Sequence, residues 1–353
     1  RIKNMPFLND IYPDEFLLEK GDDFSTDLFE EGEAVSLEDL LHLVQESSED
    51  GSLDIRNAHF ECDEDALVWG LSVLCETRLG RDLAFDARFE DWSIEVDDIE
   101  DGAHIINSQL RILILPRCAP SPQTLSRSQS ERCAFLLELA RGLRGIWHDM
   151  TEARITTDVT IDDQILWARL RQADLDMCAL RMAWEIRQTG MGGLWRQIIA
   201  SPLGDMAVVA GEIWTAEEQE DSRDTVDLPL YGFSHLVLEW LKDANLVNAV
   251  DAHTLDALDV RLQRSINEVC GPVQLAVRDI LNLSTIPGEG AYLASLARTI
   301  LFAPSFREIP DPVNEAYLRQ ILEECELTRS SPLVFTDSEL EKKFFPHKLD
   351  TLA

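Results

Sequence analysis

Apolar residues recur along this chain at two different periods, and the changes of period mark out its elements. Leu67, Leu71, Leu74, Cys75 and Leu79 return at helical spacing, with Gly80 placed as a stop. Trp92 to Val96 then alternates as Trp-Ser-Ile-Glu-Val, and His104 to Leu115 ends in Leu-Arg-Ile-Leu-Ile-Leu. Both stretches predict strands, with Asp97 to Gly102 as the turn between them. Pro116 to Ser130, with three Pro and four Ser, reads as a linker. Helical spacing resumes over Glu131 to Met150. After Ile161, Leu166, Leu170, Ala173, Met177, Leu180 and Trp184 step by four and three, which predicts a long packed helix ending near Gly190. Further helices are expected over 205–214, 233–247, 254–269, 273–283, 290–302 and 313–328, with Pro304, Pro310 and Pro312 interrupting the last section. The pattern predicts an α+β, mostly α fold: a small helix–strand–strand–helix unit followed by a helical region.

Composition changes this picture at the N-terminus. The first fifty residues hold 15 acidic and 3 basic residues, yet also carry Phe7-Leu8, Phe16-Leu17-Leu18, Leu28-Phe29 and the group Leu37, Leu40, Leu41, Val44. That mixture predicts an acidic arm over 1–50 that orders only by docking, with Ser36 as the cap of a short helix. The expected division is an arm (1–50), a core domain (51–215), a C-terminal helical region (228–330) and a tail (331–353). A charged connection runs over 215–227.

Charge and cysteine usage narrow the function classes. With 66 acidic and 31 basic residues the formal net charge is −35, a field that repels nucleic-acid phosphates and anionic membranes. Neither nucleic acid nor membrane is therefore an expected partner. No apolar run approaches the roughly 18 residues of a spanning helix, and the first residues show no apolar leader segment. Seven dispersed cysteines without a C-x-x-C pair suggest reduced thiols and a cytoplasmic setting.

The candidate chemistry lies on the helix at 131–150 and the long helix after it. Arg-Gly-Leu-Arg-Gly-Ile-Trp-His (141–148) is followed by Ala-Asp (173–174), Ala-Trp-Glu-Ile-Arg (183–187), Leu-Trp-Arg (194–196) and Gly-Asp-Met-Ala (204–207). In order and spacing these resemble an uncharacterised, mainly alphaproteobacterial family classed with zincin-like metallopeptidases, over roughly residues 52 to 260. Members of that family that look catalytic carry His-Glu-x-Arg-His-x-Trp-Gln on the first helix and Glu-Ala-Asp on the second. The resemblance thus implies a zincin-like domain over 51–215, with metal positions at Arg141, Gly142, Gly145 and Gln172. This chain keeps Arg144, Trp147, Ala173 and Asp174 but departs at every metal position. A zinc site needs His or carboxylate donors and a general base, and Arg and Gly supply none.

The residues themselves suggest what stands in place of the metal. Arg141, Arg144 and His148 share one helix face. Packed as a zincin ligand helix packs, the second helix would bring Asp174 toward Arg144, and an Arg–carboxylate pair could hold the two helices in register. A cleft persisting there would be lined by guanidinium groups and suited to a carboxylate. The candidate interaction residues are Arg141, Arg144, His148, Gln172 and Asp174, with no metal or other cofactor expected. The expected function is a non-catalytic protein-interaction protein, an adaptor or regulatory subunit, on a degenerate metallopeptidase scaffold. A metallopeptidase with relocated ligands and an acidic nucleic-acid-mimic inhibitor are the alternatives.

Overall fold

The computed structural model of the chain describes residues 34–49, 58–99, 103–153, 159–220, 228–264, 269 and 271–330. These form an α+β fold in which helix predominates. Strand β1 (Val35–Ser36) leads into α1 (Leu37–Glu49), and α2 (Asp63–Cys75) and α3 (Arg78–Phe89) follow. With β2 (Ser93–Asp97), β3 (Ile105–Asn107) and β4 (Ile112–Pro116), β1 makes a four-stranded sheet in the order β1-β2-β4-β3. β2 and β4 run parallel, pairing Ile94 with Leu113, while β3 lies antiparallel on the far side of β4, pairing Ile106 with Leu113. Next comes α4 (Pro122–Arg127), then α5 (Gln129–Met150), which rests on the sheet, and α6 (Ile161–Gln188), which packs on α5.

The remaining elements are α7 (Gly193–Ile199), α8 (Gly204–Glu220), α9 (Leu228–Trp240), α10 (Ala244–Arg264) and α11 (Val277–Leu283). A hairpin of β5 (Thr285–Ile286) and β6 (Gly290–Ala291), then α12 (Ala297–Phe302) and α13 (Pro312–Ser330), complete the described chain. One apolar core runs from Leu37 to Leu301, and a smaller one joins Ile161 and Ile165 to Leu255, Leu258 and Ile321. The expected division near 215–228 is therefore not a division of the core. Among the described residues no helix is long and apolar enough to cross a membrane.

Several local expectations are corrected. Gly80 opens a helix instead of ending one: the Thr77 hydroxyl accepts its N–H, and a Cβ at Gly80 would fall 2.4 Å from the Leu74 carbonyl oxygen. That close approach lets the chain turn between α2 and α3. The stretch 104–115 is two strands, parted at Ser108–Arg111 where Arg111 adopts a φ of 55°. Asp97 to Gly102 is not a hairpin turn, because the neighbour of β2 is β4 and not β3. The linker 116–130 contains α4, capped by Ser121 with a proline in its first turn.

Further along, the helices expected over 233–247 and 254–269 break instead near Asp243, whose Oδ1 accepts the N–H groups of Asn245 and Leu246 at the start of α10. The stretch 290–302 opens as a strand, not a helix, and Gly288 and Gly290 take φ of 72° and 98° around it. The connection expected from Thr215 is helical as far as Glu220. Of the expected arm, residues 34–49 are part of the fold, with Leu37 and Leu40 fully buried; 1–33 lie outside the described residues, as does the tail 331–353.

Candidate functional site

α6 is buried around almost its whole circumference, so the polar side chains along it require partners inside the protein. Asp174 meets that need by accepting four hydrogen bonds. Arg144 of α5 donates from Nε to Oδ2 at 2.6 Å and from Nη2 to Oδ1 at 3.0 Å. His148, one turn further along α5, places Nε2 2.7 Å from Oδ2, and the Tyr292 hydroxyl donates to Oδ1 at 2.7 Å. Arg144 also donates to the carbonyls of Leu283 and Thr285, both at 2.8 Å, and the Trp147 indole donates to Thr285 at 2.9 Å. Leu283 is the last residue of α11, where carbonyls lack partners within the helix, and a guanidinium satisfies them. One carboxylate thus ties α5, α6 and the β5–β6 region together.

The electrostatics follow from burial set against these contacts. Burial alone would raise the Asp174 carboxyl, but Arg144 and His148 outweigh it and hold the group well below the usual carboxylate range. Burial pushes His148 down to about 4 against the pull of Asp174, so the imidazole is neutral at pH 7 and donates from Nε2. The Tyr292 hydroxyl is raised, by burial first and then by Asp174, and stays protonated.

A second cluster surrounds Arg141. Its Nε donates to Asp176 Oδ1 at 3.0 Å, and its Nη1 pairs with Glu138 at 2.5 Å. Asp176 also accepts from Gln172 Nε2 and from the Trp240 indole, each at 3.0 Å. Glu138 in turn lies 3.1 Å from His104 Nδ1. Burial would raise Glu138, but Arg141 and His104 bring it down to about 2. Asp176 goes the other way, raised because its burial outweighs Arg141. Between these residues α5 presents two glycines to the sheet. A Cβ on Gly142 would sit 2.7 Å from Leu113 Cδ2, and one on Gly145 would sit 2.4 Å from Ile106 Cδ1. Their lack of side chains lets α5 approach β3 and β4.

The five residues singled out from sequence are therefore brought together, but as two interior clusters and not as the lining of a cleft. Arg144, His148, Gln172 and Asp174 are all 2% exposed or less, and the Arg141 side chain is 17% exposed. The guanidinium-lined cleft is corrected accordingly: Arg144 already spends its donors on Asp174 and two carbonyls. Tyr292, Glu138, His104 and Trp240 were missed. Glu138 stands one helical turn before Arg141 and was legible on that ground, whereas no local signal connects Tyr292 or Trp240 to these helices. The zinc that the family resemblance implies does not fit here, since position 141 is a paired cation, 142 and 145 have no donor atom, and Gln172 is held by Asp176. Comparison of the chain with protein-family models, with curated proteins and with solved structures finds no match.

Proposed function

We propose that this chain is a non-catalytic protein-interaction protein, an adaptor or regulatory subunit acting in the cytoplasm, on a degenerate metallopeptidase-like scaffold. One observation carries the reading. The positions that would hold a metal are occupied by an ion pair and by glycines pressed against Leu113 and Ile106, so the space between α5, α6 and the sheet is filled by packing. A substrate would need an open pocket with unspent polar groups, and the Arg144–Asp174 cluster is neither open nor unspent. The free thiols at Cys62, Cys75, Cys118, Cys133, Cys178 and Cys325 agree with a reducing compartment.

Two measurements on the full chain test this. Peptide hydrolysis is assayed with added zinc, cobalt and manganese, and the protein is captured from its own host with the stoichiometry of what accompanies it quantified. The expected result is no metal-dependent hydrolysis and a protein partner at constant ratio. Hydrolysis that rises with added metal would overturn the reading.

A further inference from the structure

α3 buries Leu79, Leu83, Ala84 and Ala87 on the side that meets α2 and α5, and turns its other face outward. Phe85 and Phe89 lie on that outward face, 37% and 71% exposed. The Arg88 guanidinium sits 4.9 Å from the Phe85 ring centroid and 4.7 Å from that of Phe89, so the three side chains make one surface. At about 100° per helical residue, Arg81 and Arg88 fall about 40° and 60° to one side of Phe85, with Asp82 and Asp86 to the other. Arg78 is paired with Glu289 at 3.2 Å and with Asp82 at 3.9 Å, and Arg111 with Glu90 at 3.6 Å. Arg81 and Arg88 have no carboxylate within 4.0 Å among the described residues. One flank of the Phe pair therefore offers unspent positive charge beside exposed rings, in a chain of formal net charge −35.

Reach and charge identify the occupant. The described chain begins at Ala34, and its neighbour Val35 pairs with Ile94, five residues past Phe89. Phe89 thus lies within about 25 Å of that starting point, which about eight extended residues can span. Immediately upstream, residues 22–33 carry Asp22, Asp23, Asp27, Glu30, Glu31 and Glu33 with no Lys or Arg, and Phe24, Leu28 and Phe29 stand among them. Ten residues separate Phe24 from Ala34, so all three apolar side chains can be brought to the Phe pair. An acidic segment is repelled by most of so negative a surface and is drawn to places where a cation lacks its partner. The tail after Ser330 leaves instead from α13, which packs on α10.

We propose that residues 22–33 dock in cis across this face of α3. Phe24, Leu28 and Phe29 cover the Phe85 and Phe89 rings, and the carboxylates among them meet Arg81 and Arg88. The segment masks the exposed aromatic surface of its own chain, and a partner that takes the same face has to displace it.

The test uses the full purified chain with Phe89 replaced by photoreactive benzoylphenylalanine, a ring that an exposed position accommodates, and maps the cross-links by mass spectrometry. Cross-links from position 89 into residues 22–33, in a product of single-chain mass, are expected. The same photoreactive residue in place of Phe302, an equally exposed phenylalanine at 77%, should give none to that segment. Arg81→Glu combined with Arg88→Glu reverses both cations and leaves both rings, and should lower the yield from position 89 at least about fivefold. An unchanged near-ultraviolet spectrum confirms that this variant folds. Cross-links from position 89 that miss residues 22–33 would overturn the proposal, and so would an unchanged yield after the charge reversal. Equal labelling of the segment from position 302 would do the same. A product of twice the chain mass would assign the segment to a second copy and overturn docking in cis.

Discussion

Arg144 and Asp174 face one another through two hydrogen bonds of 2.6 and 3.0 Å, and neither side chain reaches solvent. The desolvation of two charges offsets much of their attraction, so the pair is better understood as fixing the register of α5 against α6 than as a source of net stability. Removing one partner strands the other. Arg144→Met is expected to cost about 3–5 kcal/mol, seen as a lower denaturant midpoint at unchanged slope. Arg144→Met combined with Asp174→Leu should cost less than the sum of the two single changes. An unaltered midpoint for Arg144→Met would show that the pair contributes nothing.

His148 gives the fold a pH dependence whose sign is fixed. Its folded pKa lies at about 4, below the ordinary 6.5, because burial disfavours the charged ring. At pH 4 to 6.5 the unfolded chain therefore binds a proton that the folded one does not. Stability present above pH 6.5 is lost as the pH falls toward 4, by about 3 kcal/mol for a shift of this size. Asp174 and Glu138, both depressed, contribute their losses lower still, below the ordinary carboxylate range. Asp176 and Asp251 are raised by burial and act in the opposite sense. Denaturant midpoints for wild type should fall between pH 7 and 5, and His148→Gln should flatten that fall. Parallel curves for the two proteins would assign the dependence to other groups.

The shared core predicts one unfolding transition. Arg169 of α6 pairs with Asp251 of α10 at 2.6 and 2.7 Å, and it also donates to the carbonyls of Phe306 and Glu308. α6 is thus bonded to the sheet unit through Asp174 and Arg144 and to the C-terminal helices through Arg169. Calorimetry should show one peak, and Arg169→Met should lower it without splitting it. A second peak, or a low-temperature shoulder created by Arg169→Met, would restore the boundary near 215–228.

What was legible in the sequence was local. The Leu166–Trp184 seam identifies α6 because a repeat of four and three is a property of one helix. The Trp92–Val96 alternation identifies β2 in the same way. Neither says which neighbour an element takes, so the passage of the chain from β2 past β4 to β3 was not visible. Gly80 illustrates a different limit, since a glycine fits the end of a helix or the beginning of the next, and the Thr77 hydroxyl decides between them. In the candidate site, Arg144 and Asp174 could be set opposite each other only on the expectation that their two helices pack together, which α5 and α6 do. Tyr292 stands 118 positions from Asp174, and nothing periodic links them. The burial of both guanidinium groups was equally hidden, because a charged side chain reads as exposed until its partners are known.

The glycines of α5 allow the sharpest test of the proposed metallopeptidase-like scaffold. Gly145→Ala gains up to about 1 kcal/mol of helix propensity, but its Cβ would lie 2.4 Å from Ile106 Cδ1, and overpacking of this kind costs about 1–3 kcal/mol. A net loss is expected, and Ile106→Val, which deletes the crowding methyl, should recover most of it. Gly145→His and Gly142→Glu ask far more of the same space, because Ile106 and Leu113 belong to strands whose pairing holds them in place. Arg141→His would in addition leave Glu138 and Asp176 without their shared cation. Making all three changes writes a His-Glu-x-x-His sequence into a helix packed directly against the sheet. The expected outcome is a strongly destabilised protein whose melting temperature does not rise when zinc is added. A raised melting temperature, with zinc retained at one per chain after dialysis, would mean that α5 can withdraw from the sheet. The filled space could not then be used to argue that the chain is non-catalytic.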